Sequence, residues 1–258
     1  MFAQKFYLQR QFSPDEIDWN LYEEGKLSSD DERILRTTAG AEAGVMGAET
    51  FILSLIPDTM PDLRACTMKW AADELKHSFI MNEYCDRFVP KGGMGDEYYD
   101  AICEDFNTPP SSIPLALTTA MCTEFTVLHW YMGQSERFQE PLAKKLFKQI
   151  ATDESRHGAM FMHFIKKLTD ESTMKDVLGM IYLFITKKDM YSGKLTSFEG
   201  SDKPTIYERL PHPETYDEFF DAVYDKNKLI TKLLKLAGEI SGEKFETKND
   251  LKRYIIRL

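Results

Sequence analysis

Paired cysteines are missing from this chain. Its four cysteines, Cys66, Cys85, Cys103 and Cys122, stand singly with no C-x-x-C spacing, which argues against a disulfide framework or a zinc- or rubredoxin-type sulfur site and predicts reduced, buried thiols. No segment approaches the roughly twenty apolar residues of a membrane span. The opening MFAQKFYLQRQF has no uninterrupted apolar run of the secretory kind, so a cytoplasmic location is expected. Basic charge is short as well: 32 Lys+Arg against 42 Asp+Glu leave a net charge of −10, which disfavours a nucleic-acid binder that works by neutralising phosphates. Alternating β-branched runs and two-residue hairpin signals are few. No Gly/Ser/Pro-rich linker divides the 258 residues, so a single all-α domain is expected.

What is abundant is helical periodicity. SSDDERILRTTAGAEAGVMGAETFILSLI, from Ser28 to Ile56, opens with a Ser/Asp cap and stops at Pro57, predicting one long first helix. PDLRACTMKWAADELKHSFIMNEYCDRFV, from Pro61 to Val89, predicts a second, and the short PDTM between them makes the two antiparallel neighbours. Pro90 to Pro114 carries Gly92, Gly93, Gly95, Pro109 and Pro110 and reads as a long crossover. A second helical pair follows, PLALTTAMCTEFTVLHWYMGQSERF and LAKKLFKQIATDESRHGAMFMHFIKKL, separated near Pro141. Two hairpins joined by a crossover describe a four-helix bundle over about 29–168, with accessory helices over about 170–258. From Lys226 onward nine basic residues face four acids; a solvated helix face accounts for this, and an acidic partner is the alternative.

One phrase is spelled almost twice: DELKH at Asp73–His77 and DESRH at Asp153–His157. Glu and His at i and i+3 share a helix face and can serve one metal or neighbouring metals. With 5 histidines and 22 glutamates in the chain, chance placement gives roughly 0.4 such pairs, so one alone would say little, whereas two, each preceded by Asp, are not expected by accident. A carboxylate-bridged di-metal site also needs a Glu from each of the other two helices. Glu124, in the apolar TAMCTEFTVL, is expensive to bury unpaired and is the candidate from the second hairpin. The first helix offers Glu42 and Glu49. With the turn near Thr59, the level of Glu74 and His77 matches Met46 back to Ala41, which favours Glu42; Glu49 lies about 10 Å further along the helix. Asp73 and Asp153 are placed to orient a histidine on the partner motif, with solvated helix charges as the alternative. Gly40, Gly44 and Gly47 each cost about 1 kcal/mol in a helix interior and suggest either close packing or room beside a metal. Trp70 reads as core or as an electron path. His129, His163 and His212 have no partner at ligand spacing.

Glu42, Glu74-x-x-His77, Glu124 and Glu154-x-x-His157 resemble the ligand set of the ferritin-like di-iron carboxylate enzymes. Within that group, KWAADELKHSFIMNEY and PLAKKLFKQIATDESRHGAMF look most like soluble acyl-acyl-carrier-protein desaturases, which have tryptophan before the first motif and Ala-Asp-Glu before the second. The match runs from about Asp30 to Lys167. The spacings also resemble aldehyde-deformylating oxygenases, and SPDEIDW followed by LSSDDER is similar to ribonucleotide reductase small subunits and their oxidase relatives. Departures are Met81 where a radical-bearing subunit has tyrosine, Ile150 where arylamine N-oxygenases have histidine, and Val127 where desaturases often have threonine.

The resemblance implies a ferritin-like fold and six catalytic metal ligands, with His77 and His157 anchoring two irons while the carboxylates move between bridging and terminal binding. Oxygen ligands with two imidazoles suit iron or manganese. It further implies O2 as co-substrate and an external electron donor of ferredoxin or other reductase type. The expected substrate is an apolar small molecule or acyl chain, held by an acyl carrier protein or as a thioester, and the expected assembly a homodimer. Alternatives are hydroxylation, N-oxygenation or aldehyde deformylation of another metabolite, iron storage or peroxide scavenging, and a metal-free helical interaction protein.

Overall fold

The computed structural model describes residues 5–6, 8, 13–93, 112–186 and 225–258. Among them there is no strand; two 3-10 turns, Pro14–Glu16 and Trp19–Leu21, precede α1 (Ser29–Ala43), α2 (Val45–Leu55), α3 (Pro61–Phe88), α4 (Ile113–Arg137), α5 (Pro141–Leu168), α6 (Met174–Thr186), α7 (Lys226–Ser241) and α8 (Lys248–Arg257). The all-α expectation is met by these residues. Most of the expected crossover, 94–111, and the segment 187–224 lie outside the described residues, and with them Cys103 and His212.

Local chemistry sets the helix ends. Ser28 Oγ accepts from the Asp31 N–H while the Asp31 carboxylate takes the Ser28 N–H at 2.9 Å, a reciprocal cap that satisfies donors the first turn cannot pair. The same Asp31 binds Arg137 at 2.6 Å, tying the start of α1 to the end of α4. Proline opens α3 and α5, where its missing N–H costs nothing. Gly242, at φ 77°, ends α7 in the left-handed conformation that glycine adopts most cheaply.

The long first helix expected from the sequence is instead two. At Gly44 the N–H bonds back to Ala41 O at 3.1 Å, three residues rather than four, a local 3-10 tightening that closes α1 and starts α2. Gly40, Gly44 and Gly47 make this the stretch with the least intrinsic helix stability. Close packing is also visible nearby: the Ser78 hydroxyl of α3 donates to the Ala39 carbonyl of α1 at 2.6 Å.

Helices α1 and α2 pack on α3, and α4 packs along α5; the two pairs meet through α3 with α5 and α2 with α4. The apolar core falls into two clusters. One joins Leu35, Ile80, Met81, Tyr84, Trp130, Phe147 and Ala151; the other joins Phe51, Trp70, Ala71, Met121, Phe125, Phe161 and the inner faces of α6, α7 and α8. On α3 the gap between the clusters runs from Ala71 to Ile80, and on α5 from Ala151 to Met160. Both halves of the repeated motif lie in that gap, so apolar layers above and below enclose one polar layer. No helix among the described residues is long and apolar enough to cross a membrane. Cys66, Cys85 and Cys122 are free and buried as expected, and burial pushes the Cys66 thiol up to about 11 and that of Cys85 to about 12.

Candidate metal centre

Four helices, α1, α3, α4 and α5, contribute to the polar layer. Glu42 comes from the last turn of α1, Glu74 and His77 from α3, Glu124 from α4, and Glu154 and His157 from α5. The i, i+3 spacing puts each Glu–His pair on one face. None of the six exceeds 7% exposure, and both histidines and Glu154 are fully buried.

The six side chains form two groups whose ligand atoms lie within 4.8 Å of one another: Glu42, Glu74, His77 and Glu154, and Glu74, Glu124, Glu154 and His157. Glu74 and Glu154 belong to both. His77 Nδ1 stands 3.3 Å from Glu154 and 3.6 Å from both Glu42 and Glu74. His157 Nδ1 stands 2.7 Å from Glu74, 3.1 Å from Glu154 and 3.3 Å from Glu124. Both imidazoles thus turn Nδ1 inward.

Their outer nitrogens meet the aspartates, crosswise. His77 Nε2 lies 3.2 Å from Asp153 and His157 Nε2 lies 3.5 Å from Asp73, so each motif's aspartate faces the other motif's histidine. An imidazole whose outer N–H is donated to a carboxylate keeps its inner lone pair for a metal. The aspartates are in turn held by cations nearer the surface, Asp73 by Lys69 at 2.6 Å and Asp153 by Arg156 at 2.5 Å.

Charge among these groups is unbalanced toward acid. Burial and the neighbouring Glu74 charge push Glu42 well above the usual carboxylate range; burial, then Glu74 and Glu154, do the same to Glu124. Burial alone would raise Glu74, but the hydrogen bond with Glu42 and the His157 charge outweigh it and hold Glu74 well below. Burial opposes charge on His77 and His157, yet Asp153 and Glu154 around the first, and Glu74 and Asp73 around the second, raise both well above the ordinary value. The layer thus draws in positive charge as protons, which a bound cation would displace.

Hydrogen bonding makes the same demand. Glu74 Oε1, Glu124 Oε2 and Glu154 Oε1 are buried without a hydrogen bond of proper geometry, a costly condition for carboxylate oxygens. All three belong to residues of the ligand groups, and oxygen donors with one imidazole per group fit a hard or borderline cation. The donor set therefore fits two metal ions.

The structure brings together all six sequence-selected ligands and both aspartates. Glu49 is partly exposed on α2, outside both groups, and burial raises its pKa. His129 and His163 lie away from the layer and are held low by burial. Thr123 and Thr126 donate to the carbonyls of Thr119 and Cys122 on their own helix. Three contacts were not legible. Trp70 donates from Nε1 to Glu124 Oε1 at 3.1 Å, a pairing of residues on different helices that no local spacing signals. Phe6 sets its ring edgewise to His157, centroids 6.4 Å apart. Gly158, next to His157, admits Phe125, next to Glu124, so closely that a Cβ there would sit 2.8 Å from the ring. No protein-family model and no curated protein matches the chain.

Proposed function

We propose that this is a ferritin-like di-iron carboxylate protein, with manganese as the other metal its donors suit, acting as an O2-dependent oxidase or oxygenase on an apolar substrate. Acyl-chain desaturation, on a carrier protein or thioester, is the reaction its motif segments resemble most. The observation that supports the reading is the pair of buried four-residue groups sharing Glu74 and Glu154, together with buried carboxylate oxygens that lack a hydrogen bond of proper geometry. Two hairpins, each with one Glu helix and one Glu-x-x-His helix, are what a ferritin-like di-metal bundle requires.

Glu42 and His77 would hold one ion and Glu124 and His157 the other, with Glu74 and Glu154, which belong to both groups, available to each. Bound there, a pair of irons supplies one-electron redox steps and O2 activation. The chain's own groups do the rest. Asp153 accepts the outer N–H of His77 at 3.2 Å, and Asp73 stands 3.5 Å from the outer nitrogen of His157, an arrangement that favours the tautomer with Nδ1 toward the ions. The apolar clusters on either side keep bulk water from the layer, which strengthens every charge interaction inside it. Electrons would come from an external reductase or ferredoxin-type donor.

The first test is metal content. Two irons per chain, lost in His77→Ala or His157→Ala, are expected; no bound metal would establish a metal-free helical protein instead, and many irons per chain in a hollow oligomer would establish storage. Reduced protein is then mixed with O2 and acyl-carrier-protein substrates and read by mass spectrometry. Loss of two hydrogens is expected for desaturation, and gain of one oxygen would assign hydroxylation.

A further inference from the structure

The two terminal carboxylates of the layer are held differently. Trp70, 4% exposed, stands one turn before Glu74 on α3. Its indole N–H reaches across to α4 and donates to Glu124 Oε1 at 3.1 Å. Phe161 of α5 meets the indole edge to face, centroids 5.1 Å apart and planes at 78°, so packing keeps the N–H aimed at the carboxylate. The other oxygen, Oε2, has no hydrogen bond of proper geometry and lies 3.3 Å from His157 Nδ1, on the ligand side. Glu42 has a contrasting setting: the groups facing it are themselves ligands, His77 at 3.6 Å and Glu74. It also sits in the last turn of α1, two residues before the break at Gly44.

We propose that Trp70 is a positioning residue that occupies one oxygen of Glu124 and reserves the other for metal. Glu124 would then meet its metal position with Oε2, whereas Glu42 is faced by His77 and Glu74, and the two metal positions would be inequivalent. The inference rests on the di-metal reading. Its consequence is that loss of the indole N–H would be felt at the Glu124–His157 position and not at the Glu42–His77 position.

The test uses metal-depleted full-length protein titrated with Mn2+ by calorimetry, with free Mn2+ counted by electron paramagnetic resonance. Wild type should bind two Mn2+ in two resolved steps. Trp70→Phe keeps a ring but removes the N–H; it should weaken one step by about 10–100-fold, the range for lost outer partners of metal ligands, and leave the other within about twofold. Saturation should still reach two Mn2+ per chain. Equal shifts of both steps, or no shift of either, would overturn the role of Trp70 while leaving the di-metal reading intact; no Mn2+ binding by wild type would overturn both. A measurement on wild type guards against a variant that does not fold. The chain has three tryptophans, and one indole N–H signal in a nitrogen-15 correlation spectrum should be exchange-protected and move on addition of Zn2+. Indole signals that all ignore Zn2+ would sink the proposal.

Discussion

Glu140 and Glu154 are both fully buried, one capping α5 and the other inside it, yet their surroundings differ in kind. Glu140 accepts from the N–H groups of Leu142 at 3.1 Å, Ala143 at 2.6 Å and Glu23 at 3.1 Å, and from the Tyr84 hydroxyl at 2.6 Å. Its charge is met by donors from the start of a helix, where carboxylates are favoured. Glu154 has an oxygen with no hydrogen bond and two other glutamates within ligand distance in each group. A buried carboxylate that closes its own hydrogen bonds is part of the architecture; one left open among other carboxylates needs a cation.

That contrast can be broken by exchanging each acid for its amide. Glu154→Gln removes a ligand shared by both positions and should weaken metal binding by more than about 100-fold, beyond the range for outer partners, as read by metal analysis after gel filtration. Glu140→Gln should leave two metals bound but lose about 3 kcal/mol of stability in urea unfolding, because an amide N–H would oppose backbone or phenol donors that now meet an anion. If Glu140→Gln emptied the metal site, or Glu154→Gln did not, the distinction would fail.

Metal removal should show the same difference through pH. In metal-depleted protein Glu42, Glu124, His77 and His157 have raised pKa values, so the folded state holds more protons than the unfolded one. Their contribution is fully present below the unfolded pKa values and is lost as pH rises through the folded ones. Glu74 is lowered; its contribution is lost only as pH falls below its unfolded value, so it adds no slope above that. The melting temperature of metal-depleted protein should therefore fall as pH rises from about 6 to 9. Mn2+-loaded protein should gain relative to it over the same range, since binding displaces those protons.

The aspartates sharpen the comparison within the layer. Asp153→Asn and Asp73→Asn should each weaken one metal by about 10–100-fold. The larger loss is expected for Asp153, which lies at 3.2 Å from its histidine against 3.5 Å for Asp73. Equal metal affinity in both variants and wild type would show that the crosswise contacts do not orient the imidazoles.

How much of this was readable beforehand follows from what each feature depends on. Four candidate ligands and both aspartates were legible because Glu-x-x-His and the preceding Asp are local patterns that one helix turn converts into a face. Glu124 was marked by its apolar neighbours, and Glu42 by counting register from the turn near Thr59, which survived because α1 and α3 still run side by side past the break. The break itself was not legible: single glycines are tolerated inside helices, and only the cumulative weakness around Gly44 shows where the ladder tightens. Trp70 with Glu124 and Tyr84 with Glu140 were hidden because they join residues 54 and 56 positions apart, set by how the pairs dock. Nothing local marked Glu140, just before Pro141, as a carboxylate that would cap α5 and be sealed under Tyr84.

The smallest expected effect falls on Tyr84. Its hydroxyl donates to Glu140 at 2.6 Å, and burial, with that carboxylate, pushes its ionisation far above the ordinary range, so it remains a donor at any working pH. Tyr84→Phe removes one of four donors to Glu140 and should cost about 1.5–2 kcal/mol, the lower part of the range for a hydrogen bond to a charged group, with two metals still bound. Because Glu140 would keep three backbone donors, the loss should be smaller than for Glu140→Gln. A loss as large would mean that the phenol, rather than the helix start, carries the buried charge, and Glu140 would then resemble the ligand carboxylates more closely than its backbone donors suggest.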